Sequence, residues 1–574
     1  MDTISTQPRD HLRQTVIDEI KSLEESTRAL KSRRNALAPI SRLPSETLAT
    51  IFTLLSASAW DERPAHLEWV RVAHVCRRWR EAALNHPRFW SYINFTKLTS
   101  AGMVEILARA KMAPLHLEVD INRWTTANFE PFEGQLEAHI SHTRHLTISG
   151  YLATSLPRLT SSAPTLESLF LSHDRIGIGI NIPDNLLNRT APNLTSLELQ
   201  NCNISWKSPL LKGLRNLKLL NISTKARPEL EDWLDALNEM PKLETLSLRS
   251  ATPFAPPAGP LISERSRTIT LPSLTHFHIH AFARDCAFAL AHLLFPALTW
   301  LHVNVRSRDK EGEDVRLVIP YVARNVYLLQ DIEPIRSILI AGEQTYTEVY
   351  AWAMPDSDVE ICDPDTLGHM SRSACLMFAA QGDTWRYGVD TAIFDALLTL
   401  LPVNSVSTLT AHNCTRLSKE FWLSHASRLP LLEQARLVST SVGAFSKMLA
   451  EDAPPDGPLL PSLTRLILLD VWLVAVRMYH LGDMLMKRVE QGVPLEVLDL
   501  GTCTTADRAI QFFSEIVVDV LEPLDAAPMT MEEFFMGGIG HCNDLEYDDE
   551  RSPWYCVDDG EAEYGYESIY NEEL

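Results

Sequence analysis

The sequence lacks paired cysteines and long apolar runs. Its nine cysteines stand singly with no CxxC pair, which argues against a zinc site or a disulfide framework and for reduced thiols. No run approaches the ~20 apolar residues that a membrane-spanning helix needs. The first residues, MDTISTQPRDHLRQ, contain no apolar segment of the kind found in a signal peptide. We therefore expect a protein of the cytoplasm, the nucleus or both.

The sequence also has a deficit of positive charge. Lys and Arg number 52 against 74 Asp and Glu, a net charge of −22, so we expect neither nucleic acid nor a membrane as a partner. Between residues 544 and 574, twelve acidic residues stand against one Arg. This composition predicts a solvated, disordered acidic tail over residues 544–574.

Motifs of the common enzyme classes are absent as well. No P-loop, GxGxxG, GxSxG or HExxH occurs, and no Cys–His pair is singled out as catalytic. His276, His278 and His280 alternate along a predicted strand and so share one face, within reach of a common metal ion. No carboxylate is placed to complete such a site, and Phe277 and Ile279 take the core positions between them. We therefore expect no catalytic residues, no metal and no cofactor.

The most specific stretch of the chain is residues 39–95, which contain two amphipathic helical patterns. Pro44, Ser45 and Glu46 are typical of a helix start. Apolar residues then recur at spacings of three and four, which is one face of a helix. They are Leu48, Ile51, Phe52 and Leu55 in the first half, and Val72, Val75, Cys76, Trp79 and Ala83 in the second. Helices this short bury little apolar surface alone and need a partner in the same chain or in another.

This stretch resembles an F-box: LPxExLxxIFxxL, a gap, VCRxWRxxA, and a Trp shortly after a Pro. In that family the motif is a helical module that docks on the Skp-type adaptor of a Skp–cullin–F-box ubiquitin ligase. The gap SASAWDERPAHLE is longer than usual, so we expect an inserted loop there. An ordinary pair of core helices is the alternative. The motif also matches at Pro39 and Trp90, and the resemblance implies adaptor binding by Leu43, Pro44, Glu46, Leu48, Ile51, Phe52, Val75, Cys76 and Trp79.

Residues 1–38 predict a separate helix with heptad character. Val16, Leu23, Leu30 and Leu37 fall seven apart, and Ile20 takes the complementary core position, although polar residues fill the next two. Two interpretations stay open. The helix forms a coiled-coil dimer, or it lies back on the F-box helices and buries their open side.

Residues 96–543 contain a recurring LxxLxL pattern, in which three leucines or similar apolar residues are separated by two residues and then by one. The first Leu recurs at spacings of 28, 23, 26, 31 and 24 between Leu166 and Leu298, close to a leucine-rich repeat period. Cys202, Cys414 and Cys503 stand three residues past the last strand position, where the repeat places Asn or Cys. Between about 317 and 402 the register is lost, although IRSILIAG is compatible with a strand and TAIFDALLTLL with a helix.

Together these patterns predict an α/β solenoid fold, an N-terminal helical F-box module followed by irregular leucine-rich repeats. The order resembles that of fungal, basidiomycete-type F-box proteins. The resemblance implies a substrate receptor that binds the adaptor, through it a cullin, and with its repeats an unidentified target protein. A repeat scaffold or inhibitor that is not coupled to ubiquitylation is the alternative, and an enzyme is a third. Since core leucines point inward, we expect target binding on the opposite strand face, at Arg249, His276, His278, His280, Trp300 and His302.

Overall fold

The structure is a computed structural model of the 574-residue chain. It describes residues 7–521 except 62–66, 124–125, 153–158, 176–178, 258, 263–265, 331–333, 344, 354–374, 383–384, 386–388, 453–454, 456, 472, 474 and 504–506. The predicted acidic tail lies outside the described residues. The chain divides into two compact units, Met1–Ala281 with Phe288–Leu298, and Phe282–Ala287 with Thr299–Leu574.

Helices and strands alternate along most of the chain. The α-helices of the described residues are α1 Gln7–Ala36, α2 Ser45–Asp61, α3 Arg77–Leu84, α4 Ser100–Ala110, α5 Thr126–His139, α6 Leu230–Asn238, α7 Ala283–Ala291, α8 Glu313–Arg316, α9 Ile319–Gln330, α10 Val389–Leu400, α11 Lys419–Ala426, α12 Val442–Leu449, α13 Ala475–Glu490 and α14 Asp507–Ser514. The strands are β1 Tyr92–Asn94, β2 Leu115–Asp120, β3 Thr143–Gly150, β4 Ser168–His173, β5 Ile180–Asn181, β6 Ser196–Gln200, β7 Cys202–Asn203, β8 Asn216–Leu220, β9 Thr245–Arg249, β10 Ile269–Thr270, β11 His276–Phe282, β12 Leu293–Leu294, β13 Trp300–Ser307, β14 Ser337–Glu343, β15 Tyr346–Trp352, β16 Leu376–Gly382, β17 Thr408–His412, β18 Gln434–Val438, β19 Arg465–Leu469, β20 Val497–Asp499 and β21 Asp519–Leu521.

In the first unit the strands form a parallel array in the order β1, β2, β3, β4, β6, β8, β9, β11. Every predicted repeat of this unit is one strand, and its leucines are buried on the core face. Leu169 pairs with Leu197, which pairs with Leu217, so the core positions are in register from strand to strand. Because each strand alone exposes its apolar face, the stacked neighbours bury it jointly.

A recurrent turn follows the strands. Asn201, Asn221, Ser250, Asn413 and Ser439 come directly after a strand and have φ between 45° and 58°, a left-handed conformation that Asn tolerates well. The amide of each donates a hydrogen bond to a carbonyl at the end of the next strand. The turn thus ends each strand while its backbone polar groups stay satisfied.

Three cysteines lie at these strand exits, as the repeat pattern predicts. The thiols of Cys202, Cys414 and Cys503 are buried and donate to the carbonyl oxygens of Leu171, Ile340 and Leu468, at 3.8, 3.6 and 3.2 Å. Burial raises the pKa of both the Cys202 and the Cys503 thiol to about 12. These cysteines therefore pack as small, weakly polar core residues.

The second unit explains why the sequence register is lost between about 317 and 402. Its strand order is β13, β16, β15, β14, β17, β18, β19, β20, β21. After β13 the chain forms β14 beside β17 and returns through β15, which is antiparallel to both its neighbours, to β16, which pairs parallel with β13. The predicted strand IRSILIAG is β14, and the predicted helix TAIFDALLTLL is α10. Both predictions are confirmed. The antiparallel strand β15 was not predicted.

The N-terminal helix α1 is formed as expected, but it does not cover the F-box helices. Every side chain from residue 11 to residue 34 is exposed, including the four seam residues within that range. The interpretation in which α1 lies back on the neighbouring helices is therefore wrong. Among the described residues, no helix is long and apolar enough to cross a membrane.

Candidate protein-interaction surfaces

The helical module of residues 39–95 is built around a buried aromatic cluster. Phe52 of α2 packs on Trp79 and Phe89 at ring-centroid distances of 5.1 and 5.9 Å. Trp69 meets Phe89 edge-on at 4.8 Å, and Phe89 meets Trp90 at 5.0 Å. This cluster draws on both helical halves and on the PRFW segment, so the module has a complete core of its own.

Hydrogen bonds join the two halves of the module. The guanidinium of Arg78 on α3 donates to the carbonyl oxygens of Ser41 and Leu43, just before α2. The indole of Trp90 donates to the carbonyl of Ala83 at 2.8 Å, at the end of α3. These bonds tie the entry of α2 and the exit of α3 to fixed partners, which limits how far the helices can shift.

Part of the long spacer is helical. Its first six residues, Ser56 to Asp61, extend α2 by a turn and a half, and Leu67 and Glu68 open the 3-10 helix Leu67–His74. Residues 62–66 lie outside the described part of the chain. The expectation of an inserted loop is thus corrected for Ser56–Asp61, because α2 continues through these residues.

The residues predicted to bind the adaptor divide into buried and accessible ones. Leu48 is 0% and Phe52 2% exposed, so both belong to the core of the module and a partner cannot touch them. For these two the expectation of direct contact is corrected. Leu43, Cys76 and Trp79 are half-buried, and Pro44 and Glu46 are exposed. The exposed apolar side chains here are Ile51 at 43% and Val75 at 57%, together with Leu54 at 63% and Leu55 at 43%, which were not predicted.

The added turn of α2 brings Trp60 against the first strands of the unit. Its ring lies 6.3 Å from the rings of both Tyr92 and His116, on β1 and β2. Tyr92 stacks on His116 at 4.3 Å, and His116 stacks on His145 of β3 at 4.4 Å. We call this row of four rings the aromatic ladder. The aromatic ladder was missed because its strands lack the full LxxLxL pattern, although apolar and polar residues alternate clearly in LHLEV.

The two ladder histidines are held neutral near physiological pH. Burial, followed by the charges of His145 and Arg144, lowers the pKa of His116 from 6.5 to about 3. Burial and Arg144 also lower the pKa of His145. Neutral rings stack without charge repulsion, which is consistent with the short ring-to-ring distances.

Four of the six residues predicted to bind a target lie together in the first unit. His278 pairs across β11 and β9 with Ser247, whose hydroxyl lies 3.0 Å from its Nδ1, and His280 pairs with Arg249. His276 and Arg249 are exposed, whereas His278 and His280 are half-buried. Phe277 and Ile279 are fully buried on the other face, so the predicted alternation is confirmed.

The other two, Trp300 and His302, lie on β13 in the second unit, with their rings edge-on at 5.4 Å. The predicted set is therefore two groups, one in each compact unit. The same strand face of the second unit also carries a buried cluster that sequence reasoning missed, of Leu339, Ala341, Tyr350 and Trp352 with Met377 packed on it. The alternation of aromatic residues in YTEVYAW is the signal that could have found it.

A buried carboxylate lies within that second cluster. Glu348 accepts a hydrogen bond from the hydroxyl of Tyr346, and burial raises the pKa of the carboxyl above its usual value. The described residues contain no group of three or more His, Cys, Asp or Glu side chains placed to hold a metal ion.

Comparison with known proteins assigns the helical module. Residues 40–96 match the model of the F-box-like family. No curated protein matches the chain. Among solved structures, the chain is similar to the crystal structure of an internalin (inlF) from Listeria monocytogenes, with 12% identity over 61% of this chain and 86% of that chain. The TM-score of this similarity is 0.25. Residues 40–96 are an F-box-like domain, followed by parallel-strand repeats of the leucine-rich type.

Proposed function

We propose that this chain is the substrate-recognition subunit of a Skp–cullin–F-box ubiquitin ligase. The F-box-like domain binds a Skp-type adaptor and through it a cullin, and the repeats bind a target protein. The observation that carries the proposal is the F-box-like match over residues 40–96. The module has its own buried core and still leaves the apolar residues Ile51, Leu54 and Leu55 exposed.

The exposed apolar residues of α2 support the adaptor half of the proposal. Ile51 and Leu55 stand four apart and therefore share a helix face, and Leu54 lies beside them. Ile51 and Leu55 are each 43% exposed and Leu54 is 63% exposed, while Leu48 and Phe52 fill the interior. Fully burying a Leu or Ile side chain contributes about 1.5–3 kcal/mol, so covering the exposed part of Ile51 or Leu55 contributes about 1 kcal/mol each.

The strand faces opposite the core support the target half. In the first unit they present Arg249, His276 and the three strand residues of the aromatic ladder, and in the second they present Trp300. Aromatic and guanidinium groups are enriched among residues that dominate binding energy. Since the strands hold these groups on a rigid array, little conformational entropy is lost when a target binds.

The mechanism of such a receptor is positional. The chain makes and breaks no bond, and it holds the lysines of the target at high effective concentration near the ubiquitin-charged enzyme. No cofactor or metal takes part. We place this activity in the cytoplasm, the nucleus or both, where the adaptor and reduced thiols coexist.

A test of the proposal uses two surface variants of the full chain. Ile51→Glu combined with Leu55→Glu places two charges on the proposed adaptor face without touching the core, and we expect at least a hundredfold loss of affinity for the purified adaptor. Val104→Glu is the matched control, because Val104 is a similarly exposed apolar residue on α4, outside the F-box-like domain. Unchanged adaptor binding by the double variant, with its fold intact, rejects the proposal.

A specific observation favours a second candidate, a repeat scaffold or inhibitor that is not coupled to ubiquitylation. The last turn of α2 carries Trp60 onto Tyr92 and His116 of the first strands. A module in this position can serve as an end cap that protects the strand array. On this account the chain binds its target but no adaptor, so the same binding experiment separates the two functions.

A further inference from the structure

Helix α1 has an apolar seam that nothing in the described part of the chain covers. It spans 30 residues, about 45 Å at 1.5 Å per residue. Val16, Ile20, Leu23 and Leu30 are 49%, 50%, 63% and 64% exposed. A helix draws most of its stability from packing an apolar face, so this seam calls for a partner.

We propose that α1 pairs with α1 of a second copy of this chain as an antiparallel two-stranded coiled coil. Val16, Leu23 and Leu30 take the d positions of the heptad, and Ile20 takes an a position. Arg34 at a further a position can extend its guanidinium to solvent from a two-stranded coil, which favours two strands over a more enclosed, higher oligomer. The pairing gives an assembly with two F-box-like domains and two sets of repeats.

Charge rules out the parallel arrangement. In a parallel pair, like positions face each other, so Arg34 at an a position meets Arg34 of the second copy inside the seam. Glu19 at a g position then faces Glu24 at the next e position, on both sides of the coil. Like charges in these positions destabilise a coiled coil and specify against the pairing.

The antiparallel arrangement removes these conflicts. With Ile20 opposite Leu30 of the second copy, Leu23 meets Thr27, and Val16 meets the aliphatic stem of Arg34, which reaches solvent beyond it. The g positions then place Glu19 opposite Arg33 twice, once on each side of the two-fold axis. These pairs are complementary in charge.

One like-charge contact remains in this arrangement, Glu24 opposite Glu24 of the second copy. It is already compensated, because Glu24 forms an ion pair of 3.2 Å with Arg28 of its own helix. At the other e position Ile17 faces the apolar stem of Lys31. Charge complementarity along α1 therefore selects the antiparallel second copy as the occupant of the seam.

The first experiment measures the mass of the full chain by sedimentation equilibrium. We expect a dimer at micromolar concentration, a monomer for Leu23→Glu, and a dimer for Ser22→Glu, an exposed neighbour that lies off the seam. A monomeric wild-type chain overturns the proposal and assigns the seam to a different protein. Equal behaviour of the two variants overturns it as well.

The second experiment fixes the direction of the pairing. Glu19→Arg turns two attractive contacts into repulsive ones, which we expect to raise the dimer dissociation constant about tenfold, from the usual strength of exposed ion pairs. Glu19→Arg combined with Arg33→Glu restores both contacts and the original affinity. Tighter association of the Glu19→Arg variant overturns the antiparallel pairing, because the introduced guanidinium would then face Glu24 in a parallel coil.

Discussion

Substitution of Phe52 and of Ile51 should separate the core of the F-box-like domain from its surface. The two residues are neighbours on α2, yet Phe52 is 2% and Ile51 43% exposed. Phe52 lies 5.1 Å from Trp79 and 5.9 Å from Phe89, so Phe52→Ala leaves a cavity between the two rings. Such a truncation typically costs about 3–5 kcal/mol, whereas Ile51→Ala should cost under about 1 kcal/mol because 43% of the surface of Ile51 is already solvated.

Hydrogen exchange over residues 45–61 is the suitable assay, since a chain with two compact units does not unfold in one step. We expect Phe52→Ala to lower the free energy of local opening of α2 by about 3–5 kcal/mol, and Ile51→Ala to leave it nearly unchanged. Equal protection in both variants would refute the placement of the core. The same result bears on binding, because a loss of adaptor affinity in Phe52→Ala would then report unfolding rather than a lost contact.

Three further predictions follow from other parts of the chain. Arg488 of α13 is fully buried and donates to the carbonyls of Leu459, Leu460 and Leu463 at 3.0–3.2 Å. Because three buried acceptors lose their donor, Arg488→Met should lower the free energy of opening of α13 by about 2–4 kcal/mol. Unchanged hydrogen-exchange protection of α13 in this variant would contradict the prediction. The pKa of His116 in the folded state is lowered to about 3, so below pH 6.5 only the unfolded state takes up the proton. The free energy of opening of β1–β3, measured by hydrogen exchange, should therefore fall by up to about 1 kcal/mol between pH 7.5 and 5.5. His116→Phe should remove much of that fall. Deletion of residues 544–574, which carry twelve acidic residues and one Arg, should leave the melting temperature nearly unchanged, and a drop of many degrees would mean that the tail packs on the repeats.

The repeat strands were predictable because the physics that forms them is local in sequence. Leu197 and Leu199 alternate with polar residues, so the face they present and the strand they form follow from spacing alone. The reversed strand β15 and the return of β16 to β13 could not be read in this way. Their pairing is set by contacts between segments that are far apart in the chain, and Tyr350 and Trp352 alternate on the face that the repeat pattern reserves for polar residues.

The F-box-like domain was located from its motif, but its two faces were not distinguished. Helical spacing groups Leu48 with Ile51, Phe52 and Leu55, and nothing in that spacing says which of them the rest of the module covers. The structure separates them through Trp79 and Phe89, which pack on Phe52 and leave Ile51 outside. The aromatic ladder was missed for a related reason, because stacking between strands depends on a register that the sequence does not specify.

The measurement that tests the central claim most directly is assembly from purified components. The chain and the cullin are mixed, in one sample with the Skp-type adaptor and in another without it. Both samples are then separated by size-exclusion chromatography. The account predicts that the cullin co-migrates with this chain only when the adaptor is present, and that Ile51→Glu with Leu55→Glu abolishes this co-migration while Val104→Glu does not. Failure of the wild-type chain to enter a complex with adaptor and cullin would contradict the account.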